Sequence, residues 1–262
     1  MLKISWILII IVTAIIFNRL ILNNKISKIP SYLFVVVFTI LSLLFLDTIN
    51  FWILLISSLG IILAFGEMIA LNQMHSTQGQ ILKSNIFIGA IGLLDYNLYV
   101  FALINLMALI VHKELNWRNT VITLLCLAWP FLLFFSVTKL YPNWDINSPS
   151  NNLLSTVEIN ISKHYISLFI LAIILIPAIS ELYKNFHKKT ETAKKAYLVL
   201  LLISSIIITL TIITQSLSFI YFLTIPLTLI ITNYLLYTKH RYFRTFLLGL
   251  LLISILLEFF YL

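Results

Sequence analysis

Apolar stretches of about span length, parted by short polar gaps, repeat along the whole chain. They predict membrane helices near 4–22, 31–49, 51–70, 86–112, 120–140, 165–182, 196–214, 217–237 and 244–262, because about 20 mostly apolar residues carry a helix across the hydrocarbon core. Pro130, Pro177 and Pro226 fall inside these stretches. Each lacks a backbone donor and is expected to kink its helix. Short gaps make most sequence neighbours antiparallel. The longest polar stretch, about 139–164, is read as a loop, so the chain is expected to form one integral-membrane domain over 1–262.

Segment 86–112 departs from the pattern. It is too long for a straight span, and it carries Leu94-Asp95-Tyr96-Asn97 in its middle. If it crossed once, the best orientation would divide the 17 Lys and Arg residues only eleven to six. If it enters and returns, with Asp95 at the tip of two short helices, Arg19, Lys25, Lys28, Lys83, Lys113, Arg118, Lys184, Lys188, Lys189, Lys194, Lys195, Lys239, Arg241 and Arg244 share one side. Only Lys3, Lys139 and Lys163 then lie opposite. Basic residues are retained on the cytoplasmic side, so the hairpin is preferred. The expected fold is all-α: a polytopic bundle of about eight full spans plus one broken helical hairpin at 86–112, with the N-terminus outside and the basic loops cytoplasmic. Gly89-Ala90-Ile91-Gly92 would give the hairpin a small-residue face on which another helix packs closely.

Composition agrees. The chain is 61% hydrophobic and 10% charged, against roughly 25% charged in soluble domains. Its formal charge of +8 falls beside spans, where cytoplasmic retention and anionic lipid explain it, and nucleic acid is not an expected partner. The basic run at 184–195 is read in the same way, as a solvated loop near lipid. Cys126 is the single cysteine and lies in an apolar run, as a small buried hydrophobe would. No small-residue cleavage site precedes Asn18-Arg19, so the first stretch is read as an uncleaved span. Trp6, Trp52, Trp117 and Trp144 fall near expected interfaces.

Ionisable groups inside a membrane are costly and point to function. Asp95 is the leading candidate, as catalytic base or sugar-orienting group. An alternative is that it caps the second half-helix by accepting from the Asn97 or Leu98 amide. Aromatic and amide groups beside a carboxylate suit a sugar surface, which makes Tyr96, Asn97, Trp144 and Asp145 candidate substrate-binding residues. There is no phosphate-binding glycine loop, no H-E-x-x-H and no G-x-S-x-G. No metal or cofactor is expected.

Leu63-Ala64-Phe65-Gly66-Glu67-Met68-Ile69-Ala70-Leu71, then Gln80 to Gly89 and the Asp95 tip, with Trp129-Pro130-Phe131 and Ser218-Phe219 to Pro226-Leu227, carry a resemblance. The chain resembles an uncharacterised polytopic inner-membrane family of Bacteroidota, itself distantly similar to polysaccharide-polymerase membrane proteins with a helical hairpin in the same place. Gly66-Glu67 stands where the resemblance leads one to expect a pair of arginines. The resemblance implies a bacterial inner-membrane location and offers no activity to carry over. The expected function is envelope biogenesis, acting on lipid-linked glycan at the outer face. The alternative is a non-enzymatic scaffold or assembly subunit, and a small-solute transporter ranks third. Expected partners are membrane lipids, polyprenyl-linked glycan and other membrane subunits.

Overall fold

The computed structural model describes residues 2–27, 29–45, 51–71, 77–140, 161–214, 216–238 and 241–261. These residues form ten α-helices: α1 (Leu2–Asn23), α2 (Leu33–Leu43), α3 (Phe51–Ile69), α4 (Thr77–Gly92), α5 (Ala102–Val111), α6 (Trp117–Leu140), α7 (Ile161–Asn185), α8 (Glu191–Thr214), α9 (Thr224–Tyr237) and α10 (Arg241–Tyr261). Tight 3-10 turns at Tyr96–Phe101 and Leu217–Leu223 lead into α5 and α9. No strand occurs among the described residues. Among the described residues, six helices are long and apolar enough to cross a membrane, which makes this an integral membrane protein. Three shorter apolar helices accompany them: Leu33–Leu43, Tyr96–Val111 and Arg244–Ser254.

Burial separates the helices into a centre and two flanks. The apolar window of α3 is 72% buried and that of 218–237 is 67% buried, whereas α6 and α7 reach only 17% and 11%. The central helix α3 packs on α1, α4, α5 and α8, while α9 packs on α2 and α7. α6 leans on α4 at one flank, and α10 leans on α7 at the other. The flank helices turn large apolar side chains outward, among them Leu124, Trp129 and Phe135 on α6 and Phe169, Ile176 and Tyr183 on α7. In water such a surface would be costly, and in a bilayer it is solvated.

Local sequence explains the breaks. α1 and α5 end in the same way: Lys25 (φ 52°) and Lys113 (φ 60°) take the left-handed conformation. The following amides, of Ile26 and Glu114, then close back on the Ile21 and Leu109 carbonyls at 3.1 and 2.9 Å. Helix ends leave carbonyls unpaired, and this six-residue closure satisfies them. Thr190 caps the start of α8: its hydroxyl accepts from the Ala193 amide at 3.3 Å. Pro130 and Pro177 lie inside unbroken α6 and α7. Pro226 falls instead in the first turn of α9, just after the 3-10 turn. The stretch expected as a span at 217–237 is one of the six, built as a 3-10 turn that runs on into a helix.

The hairpin begins earlier than hydropathy implied. Its first arm starts at Thr77, not near residue 86, and runs 16 residues to Gly92. The returning arm has six 3-10 and ten α-helical residues. The first arm is thus about 24 Å long and the second of similar length, short of a hydrocarbon core of about 30 Å. The arms are antiparallel, since Tyr99 donates to the Gly89 carbonyl at 3.1 Å and Ser84 to Asn105 Oδ1 at 2.8 Å.

One end of the bundle gathers its cations. Asn24 donates to the Gly66 carbonyl at 3.4 Å and Gln80 to the Ala70 carbonyl at 2.9 Å, tying the ends of α1 and α3 to the start of α4. Ile26 lines a pocket with residues from the end of α7, the start of α8 and the end of α9. Lys25, Lys113, Lys184, Lys188, Lys189, Lys194 and Lys195 sit at or beside these termini.

Candidate functional site

Asp95 lies at the hairpin tip in extended backbone (φ −152°, ψ 127°) and is fully buried. Its carboxylate accepts the Asn97 amide at 2.8 Å, and its carbonyl accepts the Leu98 amide at 3.0 Å. The side chain therefore caps the returning arm, and Asn97 is the partner it uses. Tyr96 is 39% exposed and lies parallel to the Phe131 ring of α6, with centroids 5.7 Å apart and 3° between planes. Tyr99 stacks on the same ring at 4.6 Å. Asn97 is partly exposed beside them. Trp144 and Asp145 lie outside the described residues, so only Asp95, Tyr96 and Asn97 of the expected site are brought together.

Small residues let the hairpin seat itself within the chain. A Cβ on Gly89 would stand 2.6 Å from the Pro130 ring of α6, and one on Gly92 would collide with the Tyr99 ring. Gly60 of α3 admits the Ile91 side chain. The small-residue face expected at Gly89–Gly92 is used within the chain: Gly89 takes the Pro130 ring of α6, and Gly92 takes the hairpin's own Tyr99 ring. Gly66 likewise admits Leu20 of α1, so at this position lack of bulk is what the packing uses.

Behind the tip the bundle is sealed by rings. Tyr221 is fully buried between Phe45 (5.6 Å), Phe51 (5.5 Å) and Phe222 (5.9 Å), and Phe222 meets Phe101 of the returning arm at 5.8 Å. Farther along the hairpin, Asn105 Nδ2 donates to Asn85 Oδ1 at 2.8 Å, and Asn85 Nδ2 donates to the Ile81 carbonyl at 2.7 Å. With the Ser84 bond, this forms a polar clasp whose three side chains are at most 1% exposed. Residues including Phe65, Ile88, Ile104 and Asn105 enclose a void of only about 10 Å³ beside it, room for one water at most. Asn105 stands alone in the apolar run 102–111 and was missed from sequence.

The opposite, cationic end is open. Between the end of α7, the 186–190 turn, the start of α8 and the end of α9 lies a pocket of about 340 Å³, lined by Glu181, Asn185, Lys188, Lys189, Thr190, Asn233 and Tyr237 among others. Nearby, His112 is 5% exposed. Burial, then the Lys195 charge, hold its imidazole down to about 4, against the pull of a hydrogen bond to the Leu71 backbone. Among the described residues no three of His, Cys, Asp and Glu come together as metal ligands.

A family model matches residues 2–262, essentially the whole chain. The protein belongs to DUF6427, a family of unknown function. No curated protein and no solved structure matches this DUF6427 chain. Its function is therefore argued from its own geometry.

Proposed function

We propose that this DUF6427 chain is a multi-pass inner-membrane protein of envelope biogenesis, serving as a non-enzymatic scaffold or assembly subunit. In that reading the hairpin enters from the cytoplasmic side and returns. The basic loops are cytoplasmic, the N-terminus is outside, and about eight helices cross. The gathering of cations at one end supports this orientation. The burial of Asp95 carries the scaffold assignment: the carboxylate is fully enclosed and holds the Asn97 amide. A general base must come within hydrogen-bond reach of the proton it takes, and this one faces protein. Among the described residues, the ring cluster around Tyr221 and the Asn85–Asn105 clasp pack the hairpin firmly into the bundle.

A second reading has one observation in its favour. Tyr96 and Phe131 form a partly exposed aromatic step next to Asn97, the kind of surface on which a sugar ring stacks. On this reading the tip handles polyprenyl-linked glycan at the outer face, with Trp144 and Asp145 holding the acceptor.

Asp95→Asn separates the two. Asparagine caps a helix as well as aspartate does, so on the scaffold reading the variant folds, keeps its thermal stability and supports normal envelope growth in cells that need the protein. Asp95→Leu removes the cap and costs about 1–2 kcal/mol of stability. If Asp95→Asn folds normally yet reproduces the deletion phenotype, the carboxylate itself is required, and the glycan reading replaces the scaffold.

A further inference from the structure

The pocket at the cationic end carries both signs of charge. Lys188 and Lys189 come from the turn before α8, and Glu181 projects from the last turns of α7. Lys189 is held in place: its Nζ donates to Asn233 Oδ1 at 2.6 Å and sits over the Tyr197 and Tyr237 rings at 4.7 and 5.5 Å. Asn233 is itself 8% exposed. A lysine normally keeps its rotamer freedom, and fixing one costs entropy. Here the amide and the two rings offset that cost and fix a positive charge at the pocket wall. α8 also begins in that wall, with Thr190 and Ala193 lining it, so the positive end of its dipole adds to the lysines. Glu181 stands in the same lining as the two lysines and supplies the opposing charge.

This arrangement discriminates between ligands. A bare anion would meet the Glu181 carboxylate, and a bare cation would meet two lysines and a helix N-terminus. A molecule joining a phosphate to an ammonium satisfies both. Quaternary ammonium groups are usually held by aromatic faces, but Lys189 already occupies those of Tyr197 and Tyr237. A primary ammonium can donate directly to the carboxylate instead. Ile26 and Ala193 give the pocket an apolar side. The volume of about 340 Å³ falls in the range of small-molecule sites, roughly 300–1,000 Å³.

We infer that this pocket binds the headgroup of an aminophospholipid, with the phosphodiester at Lys188, Lys189 and the start of α8, and the primary ammonium at Glu181. The inference stands whether the chain is a scaffold or an enzyme, since it concerns the end remote from Asp95.

The test is thermal unfolding of the purified full chain in mild detergent, titrated with phosphatidylethanolamine, phosphatidylglycerol or phosphatidylcholine. Wild type is expected to respond to phosphatidylethanolamine at about tenfold lower concentration than to the other two, as loss of a charge-assisted contact implies. Glu181→Gln should lose that preference and respond best to phosphatidylglycerol. Lys188→Gln should weaken the response to all three lipids, because each carries the phosphodiester. Equal responses of wild type to all three lipids, or a Glu181→Gln protein that still prefers phosphatidylethanolamine, would overturn the site. Soluble glycerophosphoethanolamine matching the lipid's effect would overturn the lipid source. Should Glu181→Gln not fold, native mass spectrometry of wild type decides: one retained phosphatidylethanolamine per chain from an equal mixture supports the site, and unselective retention overturns it.

Discussion

The two ends of the bundle are built from the same helices in opposite ways. At the hairpin tip, rings from four parts of the chain close on one another: Phe45 and Phe51 flank Tyr221, and Phe222 bridges to Phe101. Asp95 there is buried, and its carboxylate accepts a backbone amide. At the other end, polar termini from α1, α7, α8 and α9 stand apart and leave about 340 Å³ between them. Charge alone does not mark a site in this molecule. Asp95 interrupts an apolar run, and its buried carboxylate caps the turn that starts the returning arm. Lys189 looked like one more loop cation, yet it is clamped by an amide and two rings. What separates them is whether space remains beside the charge.

If the tip is a packed seal and the other end an open rim, truncations should cost very different amounts. Phe222→Ala empties a fully buried position among Phe101, Phe219 and Tyr221 and should cost about 3–5 kcal/mol. Tyr237→Ala at the rim removes a side chain that is 42% exposed and should cost about 1 kcal/mol or less. Reversible unfolding in mixed micelles measures both. Similar losses at the two positions would erase the contrast.

The clasp between the ends sharpens the comparison at a smaller scale. Asn105→Ala strands the Ser84 hydroxyl and the Asn85 carbonyl, both without exposure to solvent. A buried polar group left unpaired costs about 1–3 kcal/mol, so roughly 2–4 kcal/mol is expected in total. Adding Asn85→Ala should then cost less than it does alone, because its partner is already gone. Additive losses in the same unfolding assay would show that the three side chains do not act as a unit.

Much of the hairpin could be read from its residues, and little of the pocket could. An acid followed by Tyr96-Asn97 inside an apolar run signals a helix break, and the Asn97 amide is indeed its partner. The parity of the cations pointed to a returning chain, and the register of Tyr99 on Gly89 shows one. The start of the hairpin was misread because Gln78 to Asn85 is polar, and hydropathy treats polar residues as solvated. The Gln80 amide nitrogen, Ser84 and Asn85 are paired inside the protein instead, with the Ala70 carbonyl and with Asn105. That pairing depends on two arms meeting in register 20 residues apart, which no local pattern encodes. The pocket is harder still, for Ile26, Glu181, Lys189 and Asn233 come from four separate stretches. Only the packing of α7 against α9 brings Glu181 to Asn233.

The open end should also carry the molecule's response to acid. His112 caps the last turn of α5, with the Leu71 backbone on one side and Lys195 of α8 facing it. Its folded-state value of about 4 lies below the ordinary 6.5, so the fold favours the neutral imidazole. Between those values the unfolded chain binds the extra proton and the folded one does not. The contribution is therefore complete above pH 6.5 and is lost progressively as pH falls toward 4. At pH 5 the loss should be about 1–2 kcal/mol. His112→Gln keeps a polar group at the position and removes the titration. Its melting temperature should fall less than that of wild type between pH 7.5 and pH 5, with the Phe222→Ala protein retaining the wild-type slope. Parallel curves for wild type and His112→Gln would move the acid response away from this end and leave the two ends alike in that respect.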